Sequence, residues 1–462
     1  MDDLLLKVPD AVCEQALQKI ERARWAAALA QKLDRAAVQH IVRAVADAAF
    51  AKAQVYADAA VRETAMGVVA HKRLQHEAGA RGLLDQYGGE DFVSPRIDAV
   101  RKIVELPRPA GVIFALTPVT SPIATLYVQT LMALMTRNAI ILSPHPGAKG
   151  VSADAARMMM AAARAAGAPD GIIQVIEEPT DALIVRLIAD DRIDLVLATG
   201  GPAEVKAARR SGHPVFGGGP GNAPVLVDDS ADIKLAARRI VASKSFDNSL
   251  LCTNESTLLA FQAIADELLV ALQAEGAYIC QPEECEQLRQ LLFPPAGFNA
   301  AMMGQDADVI ARAAGFNAPG AKILLTPVAL VQPEEPLVRE KLCPVLAFAR
   351  VDGIGQAISC ARSILRSAAS GSSAAIHSSR EATILAFAAA LPALRVAVNP
   401  GCSLLSDNLA PHHLLQFARI AYNQDPTEVF GDFAGLDPLH LAKVVAAPGA
   451  HITHQSAGDA SE

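Results

Sequence analysis

The thiol in FDNSLLCTNES is the group of this 462-residue chain best set for covalent chemistry. Cys252 follows the helical run SADIKLAARRIVASKSF and a polar turn, and it stands at the start of an apolar stretch. A loop in that position can point a thiol from the second unit toward the rim of the first, although a lone free cysteine is as readily a buried core residue. The other six cysteines (Cys13, Cys280, Cys285, Cys343, Cys360 and Cys402) have no comparable setting and read as core thiols. An odd number spread over a long chain argues for reduced thiols rather than a disulfide framework. Cys280 and Cys285 lack the second pair or paired histidines of a zinc site, so no metal is expected.

Small and polar residues close three short apolar runs: TPVTSP with Thr117 and Thr120, SPHPG with Ser143 and His145, and ATGG with Thr199, Gly200 and Gly201. Small-residue turns let backbone N–H groups approach a pyrophosphate. Gly217, Gly218, Gly219 and Gly221 form a fourth group, GGGPGN. No helix opens behind it and it leads into the strand APVLVD, so the ordinary dinucleotide fingerprint is absent. Taken alone, the run reads as a tight turn where backbone comes close.

The elements that must position these groups follow from periodicity. Residues 1–87 read as helical, with apolar positions at helical spacing. The segment 88–110 is mixed and extended, and suits an arm or hairpin. Beyond it, short apolar runs (GVIFAL, NAIILS, GIIQVIEE, IDLVLATGG) alternate with longer helical ones, which implies βαβ units and a parallel sheet. The helix VSADAARMMMAAARAAG is expected to start with Ser152 as its cap and to stop at Gly167. In parallel sheets ligands gather at the carboxyl ends of strands, which puts TPVTSP, SPHP and ATGG on one rim. A second α/β unit begins at residue 223, and residues from about 435 read as a tail.

Composition bounds the function. The chain is 52% hydrophobic and carries a net charge of −8, so nothing marks a nucleic-acid surface. No apolar run is long enough to span a bilayer, and MDDLLLKVPDAV lacks the basic start of a secretory signal. A cytoplasmic protein is expected.

In order along the chain, LTPVTSP, RNAIILSPHPGAK, LVLATGGPAEVKAA, GGGPGNAPVLVDDSADIK, SKSFDNSLLCTNES and EKLCPVLAF resemble segments of CoA-acylating aldehyde dehydrogenases. These include the N-terminal half of bifunctional aldehyde–alcohol dehydrogenases. The match is specific over residues 100–350 and weakens beyond about 360. The resemblance implies an α/β, aldehyde-dehydrogenase-like fold of two parallel-sheet α/β domains plus an oligomerisation arm. Residues 1–222 would form the nucleotide-binding domain with the arm near 88–110, residues 223–434 the catalytic domain, and residues 435–462 a tail. It also implies NAD or NADP as cofactor, coenzyme A as co-substrate, and a homodimer or homotetramer.

The same resemblance assigns roles. Cys252 is the nucleophile, and its backbone N–H and the Thr120 side chain form the oxyanion hole. Thr117, Ser143, His145, Thr199, Gly200 and Gly201 line the dinucleotide site, and Glu340 binds the nicotinamide ribose. Gly218 falls where hydrolytic relatives carry the glutamate that activates water. Glycine cannot be a general base, so a thiol becomes the natural acyl acceptor, and the space left open suits pantetheine. Pro146 and Gly147 replace residues that mark NAD or NADP preference, which leaves both open.

Ser372, in GSSA, stands where relatives carry a histidine. His412, His413 and Arg419 read as solvated or structural, with contact to an anionic aldehyde as the alternative. Candidate substrates are sulfoacetaldehyde, succinate semialdehyde, acetaldehyde and propionaldehyde. Two other readings are a phosphate-linked semialdehyde dehydrogenase and a non-catalytic scaffold, including a microcompartment partner.

Overall fold

The computed structural model describes residues 10–332, 334–366, 373–399, 409–425, 427 and 430–431. Cys402, Ser372 and the tail lie outside them.

The N-terminal helices run as α1 (Asp10–Ala30), α2 (Arg35–Ala51), α3 (Ala53–Thr64), α4 (Val69–Glu77) and, after a π turn, α5 (Leu83–Tyr87). Their alanine-rich faces pack close against a five-stranded sheet and share one apolar core with it. That sheet is wholly parallel, in the order β5 (Ile173–Val175), β4 (Ala139–Pro144), β3 (Val112–Thr117), β6 (Leu195–Thr199), β7 (Val215–Gly218). Every residue of β3 and β4 is buried, as continuous apolar strands with helices on both faces require. The chain moves outward from β3 to β5, then returns to the other side of β3 as β6. The crevice where the order reverses therefore opens between the carboxyl ends of β3 and β6.

A seven-stranded parallel sheet follows, in the order β10 (Ala277–Ile279), β11 (Ile323–Pro327), β12 (Val345–Val351), β9 (Glu255–Phe261), β8 (Ala223–Val227), β13 (Ser373–His377), β14 (Arg395–Val398). Its two faces carry separate apolar cores, one against α10 (Ile233–Ser245) and α11 (Ala265–Ala274), the other against α14 (Ile354–Arg366) and α15 (Glu381–Ala390). The expected arm is an antiparallel hairpin of β1 (Arg96–Asp98) and β2 (Ile103–Pro109). A third strand, β15 (Leu415–Ala421), pairs with β2 over its whole length, although no strand was expected there. Polar and apolar residues mix in LQFARIA, so its period is weak, and its pairing with β2 lies some three hundred residues away in sequence.

The Ser152 expectation is corrected. Helix α7 (Lys149–Ala165) starts three residues earlier, and Ser152 is buried within it. The early N–H groups of Gly150 and Val151 donate instead to the two carboxylate oxygens of Glu63, at 2.8 and 2.7 Å. A carboxylate from a distant helix satisfies the orphan donors and complements the helix dipole, a cap that local sequence does not reveal. Gly167, at φ +92°, does end the helix. The tight-turn reading of GGGPGN is corrected in part: Gly217 and Gly218 extend the first sheet as the end of β7, while backbone does come close further along the run, at Gly221.

Candidate active site

Two rims face each other. The carboxyl ends of β3, β4, β6 and β7 carry Thr117, Ser143, Thr199 and Gly218, and the parallel register aligns them: Thr117 lies beside Pro144, and Thr199 beside Gly218. His145 N donates to Thr117 O at 3.1 Å, and Gly200 N to Gly218 O at 3.3 Å. The first sheet thus gathers Thr117, Ser143, His145, Thr199, Gly200, Gly201 and Gly218 on one edge, with Thr120 in the loop beyond β3.

The second rim is the amino-terminal edge of three neighbouring strands. Gly221 precedes β8, Cys252 precedes β9 and Glu340 precedes β12. Only residues 219–222 separate the end of β7 from the start of β8, a reach of about 15 Å at full extension. The cysteine rim therefore lies close to the nucleotide rim.

Backbone approach at Gly221 is closer than any side chain would permit. A Cβ there would stand 1.8 Å from the Cys252 carbonyl oxygen. Gly221 N also donates to Glu340 Oε1 at 2.6 Å. One glycine therefore touches both the candidate nucleophile and the candidate ribose ligand. Gly218, by contrast, is exposed, and a Cβ there would meet nothing within 4 Å.

Cys252 is exposed to solvent. Loss of hydration and then the neighbouring Glu340 charge push the thiol up to about 11. Glu340 itself is raised to about 7, by burial first, against the Gly221 N–H and the charges of Lys244 and Lys341. Lys244 is buried and pushed down to about 8 by desolvation. Lys341, also buried, is held well below the usual lysine value by burial, although its ammonium donates to the carbonyls of Leu337 (2.6 Å), Arg339 (2.8 Å) and Ser256 (3.2 Å).

The rim fits a dinucleotide. Thr117 Oγ1 and Ser143 Oγ are buried with no hydrogen-bond partner among the described residues, and buried hydroxyls are seldom left so. The His145 ring accepts from Gly147 N at 3.0 Å through Nδ1, leaving Nε2 for a ligand. Burial lowers its pKa, so the neutral ring prevails. Glu340 Oε2 has no partner among the described residues. Thr199 Oγ1 is 3.5 Å from Gln129 Nε2, and Gly201 opens α9 (Pro202–Arg209), whose N-terminus points its free N–H groups at the rim.

Arg419 lies on β15 and pairs with Glu105 of β2 at 2.9 Å, far along the arm. His413 accepts from Ala410 N through Nδ1 at 3.0 Å and packs on the Phe216 ring, with His412 beside it.

The segment that carries Cys252 holds residues no role had been assigned to. Asp247, Asn248 and Ser249 sit consecutively at φ +51°, +51° and +62°. Left-handed backbone costs a non-glycine residue about 1–2 kcal/mol. It persists where surroundings over-determine it, and here they do. Asp247 is wholly buried and its carboxylate accepts from Val68 N (2.9 Å), Lys72 Nζ (2.9 Å) and Gln75 Nε2 (2.8 Å). Its own N–H donates to His71 Nδ1 at 2.9 Å, and Asn248 donates to Gly304 O and Asp306 Oδ1. The FDNS turn was visible in the sequence. Its partners around residue 70 were not, because nothing local links segments 175 residues apart.

Comparison with known proteins shows the family. The model of the aldehyde dehydrogenase family matches residues 2–283. A sulfoacetaldehyde dehydrogenase (acylating) of Cupriavidus necator is 30% identical over 92% of this chain and 93% of its own length. A succinate-semialdehyde dehydrogenase (acetylating) of Clostridium kluyveri is 31% identical over 87% of this chain and 94% of its own. The chain spans about half (48%) of the aldehyde-alcohol dehydrogenase of Clostridium acetobutylicum, to which it is 33% identical over 84% of its length. The crystal structure of an acetylating aldehyde dehydrogenase from Geobacillus thermoglucosidasius superposes with a TM-score of 0.86 at 33% identity, covering 89% of this chain and 97% of that one. With this fold, these ordered motifs and matches over nearly the full length, the chain belongs to the aldehyde dehydrogenase family.

Proposed function

We propose that the protein oxidises a short aldehyde to its acyl-CoA, reversibly, with Cys252 carrying the acyl group. The observation that carries this reading is the pairing of an exposed Cys252 with an open Gly218: a nucleophile at the rim, and at position 218 a glycine with no side chain to activate water. The Cys252 sulfur would attack the aldehyde carbon, and the developing oxyanion would be met by the Cys252 N–H and the Thr120 hydroxyl, which has no partner among the described residues. NAD or NADP, when bound, supplies the two-electron acceptor. Thr117, Ser143, His145, Thr199, Gly200 and Gly201 would hold it, and Glu340 would take the ribose through its free oxygen. The space at Gly218 would admit the thiol of coenzyme A, which takes the acyl group and frees Cys252.

The division of labour would be residues 1–222 for the nucleotide and 223–434 for the cysteine, in a cytoplasmic homodimer or homotetramer. A small anionic aldehyde is the preferred substrate class, supported by the relatives named for sulfoacetaldehyde and succinate semialdehyde. Acetaldehyde and propionaldehyde are the neutral alternatives. The test is a panel of neutral, carboxylated and sulfonated aldehydes assayed with CoA and with either nucleotide, beside Cys252→Ala. Acyl-CoA formation by wild type and none by the variant is the expected result. A variant that still forms acyl-CoA, or a wild type that needs phosphate in place of CoA, refutes it.

A further inference from the structure

We propose that Lys72 is a positioning residue for acyl transfer, fixing the loop of Thr120 against the loop of Cys252 through one buried ammonium. The proposal rests on the reading of Cys252 as nucleophile with Thr120 beside it. Lys72, on α4, is 1% exposed, and its Nζ donates to two groups: Asp247 Oδ2 and the Thr120 carbonyl oxygen, each at 2.9 Å. The two acceptors belong to different parts of the fold. Thr120 follows β3 of the first sheet, and Asp247 follows α10 of the second unit. They can lie no more than about 5.8 Å apart, because both reach the same nitrogen.

The geometry goes beyond a generic buried ion pair. Asp247 opens the left-handed triplet that leads to Cys252, so its position sets where the thiol emerges. Gly67 is shaped around it: a Cβ there would lie 2.3 Å from Asp247 Oδ1, so the carboxylate occupies the place of a side chain. Val68, His71 and Gln75 hold Asp247 to the same helix, but none of them bonds to Thr120. Lys72 alone among these joins the two loops. Removing it would leave each loop folded and their spacing undetermined, and catalysis that depends on aligned groups is sensitive to such spacing.

The test compares Lys72→Met with Gln75→Met. Gln75→Met removes one bond to the same carboxylate oxygen and leaves the bridge to Thr120 intact. Acyl-CoA formation, KM for the aldehyde, melting temperature and the rate of Cys252 alkylation are measured for each. Lys72→Met should lower kcat at least tenfold with KM changed less than threefold, and lose more melting temperature because Asp247 stays buried without its counter-ion, while Gln75→Met keeps kcat within threefold. Asp247→Asn, which keeps the Val68 bond and the shape of the side chain, should follow Lys72→Met and serves if that variant does not fold. A Lys72→Met enzyme with kcat within twofold of wild type overturns the proposal. So does a Gln75→Met enzyme that falls equally far. If Cys252→Ala remains active, the reading beneath has failed; if it is dead and Lys72→Met is unimpaired, only the positioning role has.

Discussion

Gly221→Ala tests the site most directly. The added methyl would stand 1.8 Å from the Cys252 carbonyl oxygen and 3.1 Å from its Cβ, where real side chains keep at least 3.0 Å. Relief requires about 1.2 Å of movement, and the moving partner is the backbone of Cys252 itself. If Gly221 moves instead, it strains the 2.6 Å bond that its N–H makes to Glu340. A misplacement near 1 Å costs on the order of 10²-fold in rate, and overpacking costs about 1–3 kcal/mol of stability. The expected variant is therefore folded, a few degrees less stable, and roughly 100-fold slower. The assay is a stopped-flow burst of reduced nucleotide with aldehyde and no CoA, which isolates thioester formation, alongside thermal unfolding. Gly218→Ala, whose methyl meets nothing, should behave as wild type in both. A Gly221→Ala enzyme with an undiminished burst rate would refute the claim that this contact sets the position of Cys252.

Three further outcomes are expected. Gly218→Glu has open room for a carboxylate at the nucleotide rim and should give aldehyde oxidation without CoA, read as free acid by chromatography; no CoA-independent turnover would count against the missing-base argument. Glu340→Gln removes a negative charge that raises Cys252, so iodoacetamide should alkylate the thiol at lower pH than in wild type, and KM for the nucleotide should rise; an unshifted profile contradicts the coupling. Burial lowers both His76 and His377 to about 4, so each is neutral in the fold while the unfolded chain takes up a proton below about 6.5. Their contribution to stability is thus present above pH 6.5 and lost as pH falls toward 4, and the melting temperature should drop across that window. Replacing both by glutamine should flatten the drop.

The sequence by itself determined the alternation of strands and helices. Continuous apolar runs such as NAIIL need burial on both faces, and only a parallel sheet between helices offers it. That alternation is a property of residue type and local spacing, which a linear chain displays. The candidacy of Cys252 among seven thiols, and of Gly218 as a position without a base, came instead from the resemblance of the ordered motifs to CoA-acylating aldehyde dehydrogenases.

The tertiary structure decided which groups share an atom's reach. The cap of α7 comes from Glu63 rather than Ser152, because a carboxylate 87 residues away meets the helix end first. Of the glycines in GGGPGN, Gly218 is open and Gly221 is the one pressed against Cys252, a distinction set by strand register and invisible in the run itself. Lys72, Asp247 and Thr120 meet at a single ammonium although nothing in their local sequence connects them. Pattern reports which face of an element is buried; which buried groups then meet depends on how the two sheets are set against each other, and only the folded chain fixes that.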